Sequence, residues 1–258
     1  MLSRWIARLL LGRNGISMSN LIDTNFHFYS DTPSGKDPDT FSPTLRRYHK
    51  LLWSKPLPSG FDFNLTDTTT KVYLHHKSEL GEFFLSSDGI GQTYSRQKRM
   101  SDIVNQIPSD EIDTFRKSCR TIGGYIIFPS NKVDNKMTIN GSRGINHKIK
   151  DRFDLTLECI RRHYFNEDNP LSDTLQRYND FLSLFQNFQG YVDFFLLQDL
   201  VKDDYLSIKF NLPFVGFDNP ALPDNIQDYR LYKENMTDFV SARNQRIQEF
   251  ASGNPLSR

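Results

Sequence analysis

Thr138–Tyr164, TINGSRGINHKIKDRFDLTLECIRRHY, is the stretch on which the reading of the fold turns. It opens as a polar segment with Gly141 and Gly144 three apart, a spacing that lets a backbone turn sharply and approach another group. Asn140 and Asn146 flank the pair and suit turns. A helix is predicted to begin near Asp151 or Arg152, with Asp154 in its first turn where negative charge meets the positive end of the dipole. Phe153, Leu157, Ile160 and Tyr164 recur at helical spacing and predict one buried stripe. Asp154, Glu158 and Arg162 form an i, i+4, i+8 ladder on another face. A loop that becomes a helix in this way can hold an anion such as a phosphate, on free backbone N–H groups assisted by Arg143, Lys148, Lys150 or Arg152. The alternative is a surface connection in which Arg143 pairs with the body of the protein. The glycine spacing fits neither a dinucleotide fingerprint nor a P-loop.

Working outward, the first half reads as short strands and the second as helices, which gives an α+β class: a mostly antiparallel N-terminal sheet with short helices, packed against an aromatic-rich helical half. Phe26–Tyr29, Phe61–Leu65, Val72–His75 and Phe83–Leu85 are predicted strands. Tyr125–Phe128, an apolar run closed by Pro129, is predicted to be central in the sheet. Ser42–Pro43 marks the start of a helix over Pro43–Trp53. Asp110–Cys119, the run from Asn169–Pro170 to Phe188, Tyr191–Val201 and Ile226–Phe250 are the other predicted helices. Tyr205–Leu212 alternates like an edge strand. Residues 1–24 are expected to be a flexible extension, with Met18 as an alternative start, residues 25–250 one domain, and 251–258 a disordered tail.

The 258 residues carry a formal net charge of +1, so no global field recruits nucleic acid or membrane. Two cysteines, Cys119 and Cys159, make neither a disulfide scaffold nor a zinc site and suit a cytoplasmic setting. No stretch is long and apolar enough for a transmembrane helix. His75 and His76, adjacent on a strand, face opposite sides, and His75, Ser78 and Ser87 are a candidate polar cluster. No serine lies in GxSxG. Arg96, Lys98 and Arg99 form a small basic cluster, a solvated face or a phosphate contact.

The runs SPTLRRYHKLLWSKPLPSG (Ser42–Gly60), INGSRG (Ile139–Gly144), DRFDLTLECIRRHY (Asp151–Tyr164) and YVDFFLLQDLV (Tyr191–Val201) resemble a family of bacterial proteins of unknown function. The likeness spans Asn25 to Ile247, and it implies no activity.

Three functional expectations follow. One is an intracellular bacterial effector, a toxin or phage-defence enzyme of ADP-ribosyltransferase type, acting on nucleic acid or protein. It would use NAD and be held by an antitoxin or chaperone partner. By analogy at the level of class, Arg143, Glu158 and His75 would be catalytic, and Asn140, Gly141, Gly144, Arg152 and Ser87 would hold the cofactor. This expectation requires Arg143 to face an accessible hollow, so that Arg143→Ala removes activity and leaves the melting temperature nearly unchanged. The second is a non-catalytic interaction module whose aromatic helices form a groove. The third is a metal-dependent nuclease, with Asp37, Asp39, Asp151 and Asp154 gathered around Mg²⁺.

Overall fold

Tyr125–Pro129 is apolar at every position but the tyrosine hydroxyl, and a strand of that composition must be covered on both faces. In the computed structural model, which describes residues 21–68 and 73–253, it is, with all five residues buried. It is strand β6 of a four-stranded antiparallel sheet in the order β3 (Thr66–Asp67), β4 (Leu74–Ser78), β5 (Gly81–Gly89), β6. The sequence places it centrally; hydrogen bonding places it at one edge. It is buried nonetheless: the helix Ile139–Ile145 packs against it, and Arg243 of the long C-terminal helix donates to the Tyr125 carbonyl at 2.8 Å. β5 alternates over its first half, with Phe83 and Leu85 inward and Glu82 and Phe84 outward. Its end pairs Asp88 with Ile126 and Gly89 with Tyr125. That register carries a buried carboxylate to the top of the sheet. Two two-stranded ribbons, β1 (Lys55–Pro56) with β2 (Asp62–Phe63) and β7 (Val201–Lys202) with β8 (Ser207–Ile208), lie outside this sheet.

The helices whose caps are written in the sequence form where expected. In α2 (Pro43–Trp53), Ser42 Oγ accepts the Leu45 N–H. In α10 (Ile226–Ala251), Asn225 Oδ1 accepts the Asp228 N–H. Between them lie α3 (Ser101–Val104), α4 (Ser109–Cys119), α5 (Ile139–Ile145), α6 (Phe153–Tyr164), α7 (Ser172–Arg177), α8 (Asn179–Ser183) and α9 (Phe188–Phe194), with the one-turn α1 (Pro38–Phe41) ahead of α2. One continuous core runs through both halves, with the ring cluster of Trp53, Phe185, Tyr191, Phe194 and Phe195 at its centre.

Several expectations are corrected. The glycine segment is a helix, α5, capped by Thr138 Oγ1 on the Gly141 N–H at 3.2 Å. Phe28–Asp31 is a 3₁₀ turn instead of a strand. The predicted helix from Asn169 to Phe188 is broken into α7 and α8, and Tyr191–Val201 ends its helix at Phe194. The edge strand over Tyr205–Leu212 shrinks to Ser207–Ile208. α6 is buried at eight consecutive positions, Phe153–Ile160, far more than one stripe. Asp154 is turned inward and is not part of the charge ladder with Glu158 and Arg162. The basic segment before Met18, Val72 and most of the C-terminal tail fall outside the described residues.

Candidate functional site

Arg143 does not face a hollow. Its guanidinium is fully buried and spends all three nitrogens internally. Nη1 pairs with Asp88 Oδ2 at 2.5 Å and lies 3.3 Å from Asp151 Oδ1. Nη2 donates to the Asp151 carbonyl at 2.8 Å, and Nε to Thr156 Oγ1 at 3.0 Å. Asn140, with its amide turned to donate, meets both Asp88 oxygens at 2.7 and 3.2 Å. Gly144 leaves close room here: a Cβ would meet Asp151 Oδ1 at 3.2 Å, and that carboxylate would have to give by a few tenths of an ångström, whereas Gly141 has ordinary room. The segment is a clasp joining the end of β5 to α5 and α6. Burial pushes Asp88 up to about 6 against the opposing pull of Arg143.

The other nominated residues are divided among separate settings. Glu158, nearly buried, is saturated by Arg161 (2.8 and 3.0 Å) and Arg162 (2.7 Å). Arg152 is buried against Asp154, at 3.2 and 2.5 Å, and the Ala221 carbonyl at 3.1 Å, and Asp154 also accepts the Asn211 N–H. His75 lies on the outer face, 2.8 Å from Glu82 and stacked on Phe84, while His76 is buried against Phe63. The partners of His76 are Ser78 Oγ at 2.9 Å and the Asn64 carbonyl at 3.0 Å. Ser87 instead meets His49 Nε2 at 2.9 Å. The Trp53 indole N–H donates to His49 Nδ1 at 3.0 Å, so the ring proton sits on Nε2 and is donated to Ser87. Burial drives this ring down to about 3, so His49 is neutral, and its one ring lone pair, on Nδ1, accepts the Trp53 N–H and does not face the serine. Asp151 and Asp154 are likewise held by arginines, and among the described residues no group of three His, Cys, Asp or Glu is placed to hold a metal ion.

A different place has the form of a ligand site. A cleft of about 480 Å³ opens between three segments: the 3₁₀ turn and α1 (Tyr29, Asp37, Asp39), the loop Gly91–Gln97 after β5, and the end of α4 (Arg116, Cys119, Arg120). That volume lies within the range of small-molecule pockets. Its wall is built from the core. A Cβ on Gly91 would fall inside hard contact with Cys119 Sγ, and one on Gly89 would lie 2.7 Å from the Arg120 guanidinium. The loop backbone is held by α10: the Tyr232 hydroxyl accepts the Gln92 N–H at 3.2 Å and donates to its carbonyl at 3.0 Å, and Tyr229 donates to the Thr93 carbonyl at 2.7 Å. Tyr94, at φ 55°, packs its ring against Tyr232.

The cleft brings both charges together. Arg120 lies 5.7 Å from the rings of Tyr29 and Tyr125 and donates to the Tyr125 hydroxyl at 3.3 Å. Arg116 pairs with Asp113 on its own helix. Arg96 is exposed and takes part in no hydrogen bond or ion pair among the described residues. Opposite, Asp37 caps α1 by accepting the Asp39 N–H at 3.2 Å. Asp39 Oδ1 is enclosed and has no hydrogen-bond partner among the described residues. Burial, and then the charges of Asp88 and Asp37, raise the Asp39 carboxyl to about 8. Cys119, pushed up to about 12 by burial, is packing and no nucleophile. In the sequence Asp37 and Asp39 read as a cap or a cation site and Arg96 as part of a surface cluster; Tyr29 and Arg120 carry no signal there. What marks the site is their convergence, which only the fold supplies.

The molecule is thus an α+β protein with a charged polar cleft set beside the end of an antiparallel sheet. Residues 22–247 match the family described as "Family of unknown function (DUF6994)", and the chain belongs to that family. No curated protein and no solved structure matches it. Among the described residues no helix is long and apolar enough to cross a membrane.

Proposed function

We propose that the cleft binds a phosphate-bearing small molecule of about nucleotide size. The observation that supports this is the placing of Arg96, which has no hydrogen bond or ion pair among the described residues, with Arg116 and Arg120 on one wall and Asp37 and Asp39 on the other, around 480 Å³. Guanidinium groups meet phosphate oxygens in bidentate, charge-assisted fashion. Carboxyl groups across the cleft would take ribose hydroxyls or an exocyclic amine, and the half-exposed Tyr29 ring offers a face for a base. NAD is a member of this ligand class. An NAD-using transferase of ADP-ribosyltransferase type, working as a toxin or phage-defence effector on nucleic acid or protein and restrained by an antitoxin or chaperone, is the form of the proposal that adds a second substrate. It would act at this cleft, since Arg143 and Glu158 are already spent in internal ion pairs. The aromatic side chains of α9 are buried, so the interaction-module alternative would need its groove elsewhere on the surface.

Calorimetric titration of the whole chain with NAD, adenosine 5′-monophosphate and pyrophosphate tests this. Binding by at least one is expected, and Arg96→Ala should weaken it about tenfold or more, the worth of a hydrogen bond to a charged group. The same substitution should leave the melting temperature within a degree. Absence of heat with all three at millimolar concentration overturns the proposal.

A further inference from the structure

We infer that the phosphate seat of the cleft is the backbone of its central loop, where the N–H groups of Thr93, Tyr94, Ser95 and Arg96 hold the phosphate and the Arg96 side chain closes on it. The inference rests on the ligand class proposed above and assigns the phosphate to one segment of the wall.

The orientation of the loop follows from its carbonyls. A planar trans peptide sends its C=O and the next residue's N–H in opposite directions. The Gln92 and Thr93 carbonyls are drawn onto the Tyr232 and Tyr229 hydroxyls of α10, at 3.0 and 2.7 Å. The N–H groups of Thr93 and Tyr94 therefore point away from that helix, on the side the loop presents to the cleft. Tyr94, at φ 55°, then leads directly into a turn closed by the Gln97 N–H on the Tyr94 carbonyl at 2.9 Å. Successive N–H groups in a turn of this kind line an anion-binding concavity. Among the described residues, none of the N–H groups from Thr93 to Arg96 donates to an acceptor.

The side chains favour the same place. Arg116 is paired with Asp113, and Arg120 is engaged with the Tyr125 hydroxyl and the Tyr29 ring. Arg96 sits on the turn itself and has no hydrogen bond or ion pair among the described residues, so its guanidinium can close on an anion that the loop already holds. Arg116 and Arg120 then act across the cleft as longer-range attraction. Because the carbonyls of the loop hang on two tyrosines of α10, the donors are set before the ligand enters.

Amide ¹H–¹⁵N spectra of the whole chain titrated with pyrophosphate test this. The amides of Thr93, Tyr94, Ser95 and Arg96 should move downfield as N–H···O–P bonds form, further than any amide of Arg116–Arg120. In calorimetry with the same probe, Arg96→Ala should lose about tenfold or more in affinity, and Arg116→Ala should lose less than Arg96→Ala. Pyrophosphate binding whose shifts fall on Arg116–Arg120 with the four loop amides unmoved, or binding of adenosine 5′-monophosphate without binding of pyrophosphate, overturns the inference and leaves the ligand class standing. Binding of neither of these nor of NAD overturns both.

Discussion

Replacing Arg143 by alanine distinguishes a clasp from a ligand contact. The substitution leaves Asp88 buried with only the Asn140 amide to oppose its charge, and it strips the Asp151 carbonyl of its donor. Breaking a buried ion pair from one side costs about 3–5 kcal/mol, because the partner charge is left behind. In a chain of this size 1 kcal/mol moves the melting temperature by roughly 2–4 °C, so a drop of about 10 °C or more is expected. The loss has a pH signature. Asp88 titrates at about 6, raised by burial against the pull of Arg143. The charge pair exists only while Asp88 is ionised, and its contribution disappears as pH falls through that value. The gap in melting temperature between wild type and Arg143→Ala should therefore be wide at pH 8 and narrow at pH 5. Thermal unfolding followed by circular dichroism at those two pH values is sufficient. A drop below about 2 °C at pH 8 would show that the guanidinium contributes nothing to packing, and the clasp would be wrong.

Three further outcomes follow from the same packing. Gly91→Ala should destabilise by about 1–3 kcal/mol through overpacking on Cys119 Sγ. Adding Cys119→Ala should recover part of that loss in a double-mutant cycle, and simple additivity would show that the contact does not exist. Arg243→Met should cost about 3 kcal/mol or more, because the buried guanidinium serves the carbonyls of Phe195, Gly123 and Tyr125 at 2.8–3.3 Å and methionine can satisfy none of them; equilibrium denaturation by urea reads this directly. Asp39→Asn should stabilise the ligand-free chain. A carboxyl whose folded pKa is raised makes stability fall as pH rises from its unfolded value toward about 8, so the variant's advantage should grow from pH 4 to pH 8 and reverse nowhere in that interval.

The sequence carries local information well and pairing information poorly, and particular residues show where the division falls. Ser42–Pro43 announces a helix start because a cap acts within three residues. The α10 stripe is legible for the same reason, at a period of 3.6, and even places Arg243 on the inward face. The helix α5 was hidden because Gly141 and Gly144 depress helix propensity, and only the cap at Thr138 and the closure onto Asp151 outweigh that cost. The fate of Arg143 was not legible at all, since its partner Asp88 lies 55 residues away and the same guanidinium could equally have met a ligand. The cleft fails for the same reason three times over, its walls coming from segments near residues 29–39, 91–97 and 116–120 with no motif in any of them. Yet the loop at its centre is fixed by Gly91 against Cys119 and by two tyrosines of α10. The wall is therefore tied to the buried core. A cleft anchored in this way is preorganised, and loss of its shape should follow unfolding of α10, not loop motion.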